Sequence, residues 1–154
     1  MPRNRAVALV IHNNNLLVMH RKNSSEYYTF PGGGVDAGET NEQAAIREIF
    51  EETSITIEIE KELYELHFEN GDTHYYFLGR YVAGEPALQP GTGEYIANKL
   101  GFQKYDPQWM PLDKVQDLLL YPTELHNRIV DDIEQGFPGG TVHLDASYRR
   151  VGTV

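Results

Sequence analysis

The sequence predicts a single α/β domain of mixed strands flanked by helices, and three observations carry that expectation. Two short β-branched runs are joined by a polar turn, a helix with a complete N-terminal capping signature follows, and a stretch alternating with period 2 comes directly after it. A chain of 154 residues is one ordinary domain, long enough to bury about 68–70% of the surface its unfolded form exposes. Its 40% hydrophobic and 23% charged residues are a globular balance, with no internal repeat, low-complexity tract or linker.

The elements follow in order. Arg5–Ile11 and Leu16–His20 read as a β-hairpin across His12-Asn13-Asn14-Asn15. Tyr27–Phe30 is a short third strand, ended by Pro31-Gly32-Gly33-Gly34. The glycines are expected to mark backbone in conformations closed to other residues, not a further strand. The strongest helix runs from about Asn41 to Thr53, with Thr40 as N-cap and Gln43 completing a capping box. Ile55–Glu60 alternates as a half-buried strand continuing to Phe68, and Glu69-Asn70-Gly71-Asp72 turns the chain into a Tyr- and Phe-rich strand over Thr73–Val82. Pro86, Pro90, Gly91 and Gly93 make Gly84–Gly101 read as a long irregular loop of the kind that is often functional. Gln108–Met110 is a short strand, and Leu112–Leu120 and Thr123–Glu134 are helical on either side of Pro122.

Charge and composition narrow the function. There is no Cys, which removes disulfides, thiolate zinc sites and cysteine nucleophiles. No stretch approaches the roughly 18 apolar residues of a membrane span, and the N-terminus does not read as a signal peptide, so a cytoplasmic protein is expected. The formal net charge of −10 argues against nucleic acid and anionic membranes as partners. That charge is local: residues 36–69 hold eleven acids against Arg47 and Lys61, which is −9, leaving −1 for the other 120 residues.

The 41–53 helix concentrates the acids that matter. At about 100° per residue, Glu48, Glu52 and Glu51 fall within one arc, while Ile46, Ile49, Phe50 and Thr53 fall on the other side as the expected core face. Such like-charge neighbours cost a helix roughly 0.2–0.5 kcal/mol per pair. One reading is a solvated acidic face relieved by Arg47. The other is a divalent-cation site, because Mg²⁺ prefers carboxylate oxygens, and the adjacent glycines let backbone approach a phosphate or metal closely.

Residues 33–55, from Gly33 to Ile55, resemble the Nudix box, G-x₅-E-x₇-R-E-U-x-E-E-x-G-U, where U is bulky and apolar. Gly33, Glu39, Arg47, Glu48, Ile49, Glu51, Glu52 and Ile55 fall in register, eight of nine specified positions. Ser54 departs, standing where the pattern has Gly; a Cβ in a left-handed helix-closing position costs about 1–2 kcal/mol. The resemblance implies a Nudix-type α/β/α sandwich with a mixed sheet, and an Mg²⁺- or Mn²⁺-dependent hydrolase of a pyrophosphate in a nucleotide or nucleoside-diphosphate compound.

The same resemblance implies residue roles. Glu48, Glu51 and Glu52 would bind divalent ions, with Glu48 the choice for general base, and the Gly32 carbonyl would join the metal while Gly33 and Gly34 border the substrate. Glu39 would support the site from the loop and Arg47 would orient a glutamate by paired hydrogen bonds. Family members often add a glutamate from a downstream loop; Glu94 is the first candidate and Glu85 the second, against the alternative of a solvated loop acid. Arg21 or Lys22 could bind a substrate phosphate or form a solvent-facing basic pair. Tyr27, Tyr28, Tyr75 and Tyr76 could stack on a base but fit core positions better. His20 and His74 read as structural, Trp109 with Pro111 as packing under the C-terminal helices, and the run Leu118–Pro122 as core. The Pro that marks many ADP-ribose hydrolases is absent, with Gly71 in its place, while oxidised nucleoside triphosphates remain a plausible class. An exposed Tyr-rich strand could support a homodimer. The alternative function is a non-catalytic Nudix domain that binds a nucleotide as a regulatory or interaction module. Loss of box glutamates would favour it, and all of them are present.

Overall fold

The two asparagines at the first turn start the fold. In the computed structural model, which describes residues 3–101 and 103–146, β1 (Asn4–His12) and β2 (Asn15–Lys22) meet through Asn13 and Asn14, at φ 50° and 60°. Asn tolerates that left-handed region, so a two-residue turn closes with the register Ile11↔Leu16. The remaining strands are β3 (Glu26–Thr29), β4 (Gly32–Gly34), β5 (Thr56–Phe68), β6 (Thr73–Ala83), β7 (Lys104–Pro111), β8 (Leu120–Tyr121) and β9 (Val142–Ala146). The helices are α1 (Asn41–Thr53), α2 (Gly93–Leu100) and α3 (Thr123–Gln135), with a 3₁₀ segment at Leu112–Asp117.

The strands form one mixed sheet that curls at the first hairpin. On one side β1 runs parallel to β6, β6 antiparallel to β5, and β5 parallel to β9, while β4 pairs with the first half of β1. On the other side β2 is flanked by β3 and β7, with β8 outside β3. Alternation along β1 then divides the core. Val7 and Leu9 pack with Leu63, Tyr64, Leu125 and Ile129 beneath α3, whereas Ala6, Ala8 and Val10 face α1 and its Ala44, Ala45 and Ile49. The result is the expected α/β/α sandwich with a mixed sheet. Tyr64 donates from the core to Asp132 of α3, whose carboxylate also accepts from Arg128 Nε at 2.9 Å.

Several elements differ from the sequence expectation, each for a physical reason. Gly32–Gly34 is a strand: its glycines lack positive φ and pair with Arg5, Ala6 and Val7. Gly32 and Gly33 are crowded by other groups, and a Cβ on Gly32 would stand 2.5 Å from the Ala6 carbonyl oxygen, whereas Gly34 has open space. Within the expected loop 84–101 lies α2, whose surrounding residues cap it instead of breaking it. The Thr92 side chain accepts from Tyr95 N–H, and Gly101 closes the helix at φ 76°. No residue of α2 is buried, and its eight residues, with Ile96 and Leu100 one turn apart, are too few to outweigh the Pro and Gly before them. The 108–110 strand extends to eight residues over Lys104–Pro111. Leu112–Leu120 is a 3₁₀ segment leading into β8, with Leu120 buried and Leu119 exposed, and β9 is an addition. Trp109 packs beside His12 and Tyr81 on the α1 side, not under the C-terminal helices. The Tyr-rich strand is an inner one, paired with β1 over Thr73–Gly79 and with β5 along its other edge.

Candidate active site

The capping box forms as spaced: Thr40 Oγ1 accepts from Gln43 N–H at 3.1 Å and Gln43 Oε1 accepts from Thr40 N–H at 2.9 Å. At the other end Ser54 takes the left-handed conformation, φ 63°, expected of Gly there. Its hydroxyl compensates by donating to the Ala87 carbonyl at 2.6 Å and accepting from Gln89 Nε2 at 2.7 Å. The loop following β6 is thereby tied to the end of α1.

The rotation of α1 differs from that expected. Its buried residues are Ala44, Ala45, Ile49 and Thr53, while Ile46 and Phe50 are 38% and 44% exposed. The inward arc therefore includes Glu48 and Glu52. Small residues let the helix lie close on β1 and β4, and the two long acids reach under it toward the glycine strand.

Arg47 organises the carboxylates. Its Nε and Nη2 donate to both oxygens of Glu39, at 2.8 and 2.9 Å, in a bidentate pair. Nη1 donates to Glu48 at 2.8 Å and to Glu51 at 3.2 Å, and Nη2 also reaches the Gly34 carbonyl at 2.9 Å. The paired guanidinium lowers Glu39 to about 2. Glu48 is held directly over Gly33, where a Cβ would fall 2.3 Å from its carboxyl carbon. Burial raises its pKa against the opposing effect of Arg47. Glu52 accepts from Gly32 N–H at 3.0 Å. Burial pushes its carboxyl up to about 8, opposed by that N–H and reinforced by the charges of Glu94 and Glu48.

Glu48, Glu52 and Glu94 line one cavity of about 660 Å³, together with Gly32, Gly33 and Gly34. The first turn of α2 supplies Glu94, so the helix the sequence concealed carries the downstream acid. Arg21 lines the same cavity, its guanidinium donating to Tyr105 Oη at 2.9 Å and packed over the rings of Tyr27 and Tyr105. Lys22, next along the strand, is exposed and outside the lining. Glu51 stays at the rim on Arg47, and Glu85 is exposed and away from the cavity. The Gly32 carbonyl accepts from Arg5 Nη2 at 3.3 Å. Tyr27 and Tyr76 are buried, Tyr28 stacks on His20, and His20 contacts Glu26 at 2.6 Å.

Sequence reasoning missed Arg3, Arg5 and Tyr121 in the cavity wall, and treated His74 as structural although it lines the cavity. Burial, with the Arg5 charge, lowers His74 to about 4. The period-2 pair Arg3 and Arg5 was a visible signal, but only pairing of β1 with β4 and β6 brings it to the glutamates.

With this geometry in hand, the chain can be compared with known proteins. The NUDIX domain family model matches residues 2–133. The 8-oxo-dGTP diphosphatase of Escherichia coli (strain K12) is 32% identical over 100 residues, covering 60% of this chain and 78% of that protein. An RNA pyrophosphohydrolase of Vibrio atlanticus is 45% identical over 51 residues, 32% of this chain and 30% of its own length. A NUDIX hydrolase structure from Nitrosomonas europaea superposes with a TM-score of 0.72 at 14% identity, over 94% of this chain and 80% of that one, a likeness of fold.

Proposed function

Because the chain belongs to the NUDIX domain family, we propose that it is a divalent-metal-dependent pyrophosphohydrolase of a small nucleoside di- or triphosphate derivative. The observation that carries this reading is the convergence of Glu48 and Glu52 from α1 with Glu94 from α2 on one cavity. Its size suits a nucleotide, since small-molecule sites run to about 300–1,000 Å³. The 8-oxo-dGTP diphosphatase relative favours a nucleoside triphosphate within that class.

The donor set fits Mg²⁺ or Mn²⁺. Glu52 is half-buried, repelled by two other carboxylates, and partnered by a single backbone N–H, an arrangement a cation relieves. Glu48, Glu52 and Glu94 would hold it, with Glu51 at the rim. A divalent ion there supplies Lewis acidity and charge neutralisation toward a pyrophosphate. The chain supplies the rest. Arg5 and Arg21, both in the cavity wall, offer guanidinium groups to phosphate oxygens. Glu48, with Arg47 holding it through Oε1, keeps Oε2 to take a proton from the attacking water. Arg47 positions Glu48 without entering the cavity lining.

The test is a panel of canonical and oxidised nucleoside triphosphates, ADP-ribose and dinucleoside polyphosphates, assayed with Mg²⁺ or Mn²⁺ for phosphate or pyrophosphate release. Turnover of at least one member is expected, abolished by chelator and reduced about 10²–10³-fold in Glu52→Gln. No turnover of any member would leave the ligand-binding module as the better reading, and turnover unchanged in Glu52→Gln would remove Glu52 from the site.

A further inference from the structure

The edge of the sheet opposite β8 carries a second cluster of metal-ligating side chains. Parallel pairing of β5 with β9 sets Glu65 beside His143 and His67 beside Asp145. Cross-strand partners share a face, as do residues two apart, so all four project from the same side. The other side of these strands carries Tyr64, Leu66 and Ala146 into the core. None of the four lines the cavity that holds Glu48 and Glu52.

Three of these side chains converge. His143 Nδ1 lies 3.1 Å from Glu65 Oε2 and 3.2 Å from His67 Nε2, and the three donor atoms all fall within 4.8 Å of one another. The two imidazole rings are parallel to within 7°, with centroids 5.5 Å apart. Metal–ligand bonds of about 2.0–2.1 Å in a tetrahedron place neighbouring donors roughly 3.3 Å apart, so two of the three edges already have the required length. His67 turns its other ring nitrogen to Thr73 Oγ1 at 3.5 Å, the kind of outer contact that orients a ligating imidazole. Glu62, which senses the charges of both Glu65 and His143, adds negative potential beside the cluster.

We propose that Glu65, His67 and His143 form a second metal site, separate from the catalytic one, for a Zn²⁺-class first-row ion. Two imidazoles and one carboxylate select such an ion over Mg²⁺, which prefers oxygen ligands. Asp145 is a further carboxylate on the same face. The metal joins β5 to β9, whose only strand partner among the described residues is β5, so binding fastens the last described strand to the sheet.

The experiment uses the full chain without a polyhistidine tag, titrated with Zn²⁺ alone and with Co²⁺ alone. In a Glu52→Gln background, which disables the cavity site, one equivalent is expected with the visible absorption of four-coordinate Co²⁺ and a gain of about 8 °C in Tm when metal exceeds Kd about 100-fold, and wild type shows the same absorption band. His67→Ala and His143→Ala lose both effects, and Glu65→Gln weakens them. Retention of the equivalent and its four-coordinate band when His143→Ala is added to that background, or their absence from Glu52→Gln itself, overturns the site. Should an alanine variant fail to fold, the wild-type ring-proton resonances decide. Zn²⁺ must shift those of His67 and His143 and leave His12, His20 and His126, which lie outside both sites, in place, and unmoved His67 and His143 signals refute the proposal.

Discussion

Gly33→Ala separates positioning from stability in this site. The backbone at Gly33 has an ordinary negative-φ strand conformation, so alanine meets no backbone penalty. Its methyl group, however, would sit 2.3 Å from the Glu48 carboxyl carbon and 2.4 and 2.6 Å from its two oxygens. An ordinary contact begins at 3.4 Å, so the carboxylate must retreat by about 1 Å. That group is the end of a flexible side chain, and the displacement is cheap for the fold. For the chemistry it is not: a 1 Å misplacement costs on the order of 10²-fold, about 2.7 kcal/mol in the barrier. Gly32→Ala is the matched control, because its methyl group meets the Ala6 carbonyl oxygen at 2.5 Å and the Val7 Cα at 2.8 Å, backbone that cannot swing aside. Steady-state kinetics and urea denaturation of both variants provide the assay. Gly33→Ala should lose kcat about 10²-fold with stability within about 1 kcal/mol of wild type, while Gly32→Ala should be destabilised by about 2–3 kcal/mol. Wild-type kcat in Gly33→Ala, or equal destabilisation of the two, would refute the placement of Glu48.

Two further perturbations test the surrounding structure. Ser54→Ala keeps the left-handed strain and loses the hydroxyl contacts to Ala87 and Gln89, so it should cost about 1–2 kcal/mol by denaturation, whereas Ser54→Gly, relieved of strain, should lie nearer to wild type. No loss in Ser54→Ala would remove the role given to the hydroxyl, and equal losses in the two would remove the left-handed strain. His74, lowered to about 4, is neutral in the fold but protonates near 6.5 once unfolded, so the unfolded chain binds more protons between those values. Stability therefore holds above pH 6.5 and falls as pH drops toward 4, by at most about 3 kcal/mol from this group. Metal-free His74→Gln should show a shallower loss from pH 7 to 4.5 in urea titrations, and an unchanged slope would contradict the burial of the imidazole.

Much of the site was legible because its signals are local. The spacing of Glu48, Glu51 and Glu52, the Thr40–Gln43 box and the left-handed position at Ser54 all depend on neighbours within about four residues, and each appears in the fold as spaced. The long acidic window was also informative, since it marked α1 as the helix to examine. Apolar periodicity misplaced the face of that helix because it treats a carboxylate as outward by default. Glu48 and Glu52 turn inward beside Ala44 and Ala45, and Ile46 and Phe50 are left partly in solvent. The helix carrying Glu94 was hidden for a different reason: it is only eight residues long, and its capping residues and the Pro and Gly before it resemble loop composition.

By itself, then, the sequence determined the box, the capped helix, the hairpin and the α/β class, all of which rest on short-range geometry. Tertiary structure alone decided which glutamates meet in the cavity, that Glu51 stays at the rim, that Arg21 rather than Lys22 faces inward, and that Arg5 and His74 join the wall. It also brought Glu65, His67 and His143 together from strands far apart in the chain. Those outcomes depend on strand pairing and register, where a shift of one residue reverses every side chain, and no local spacing encodes that choice.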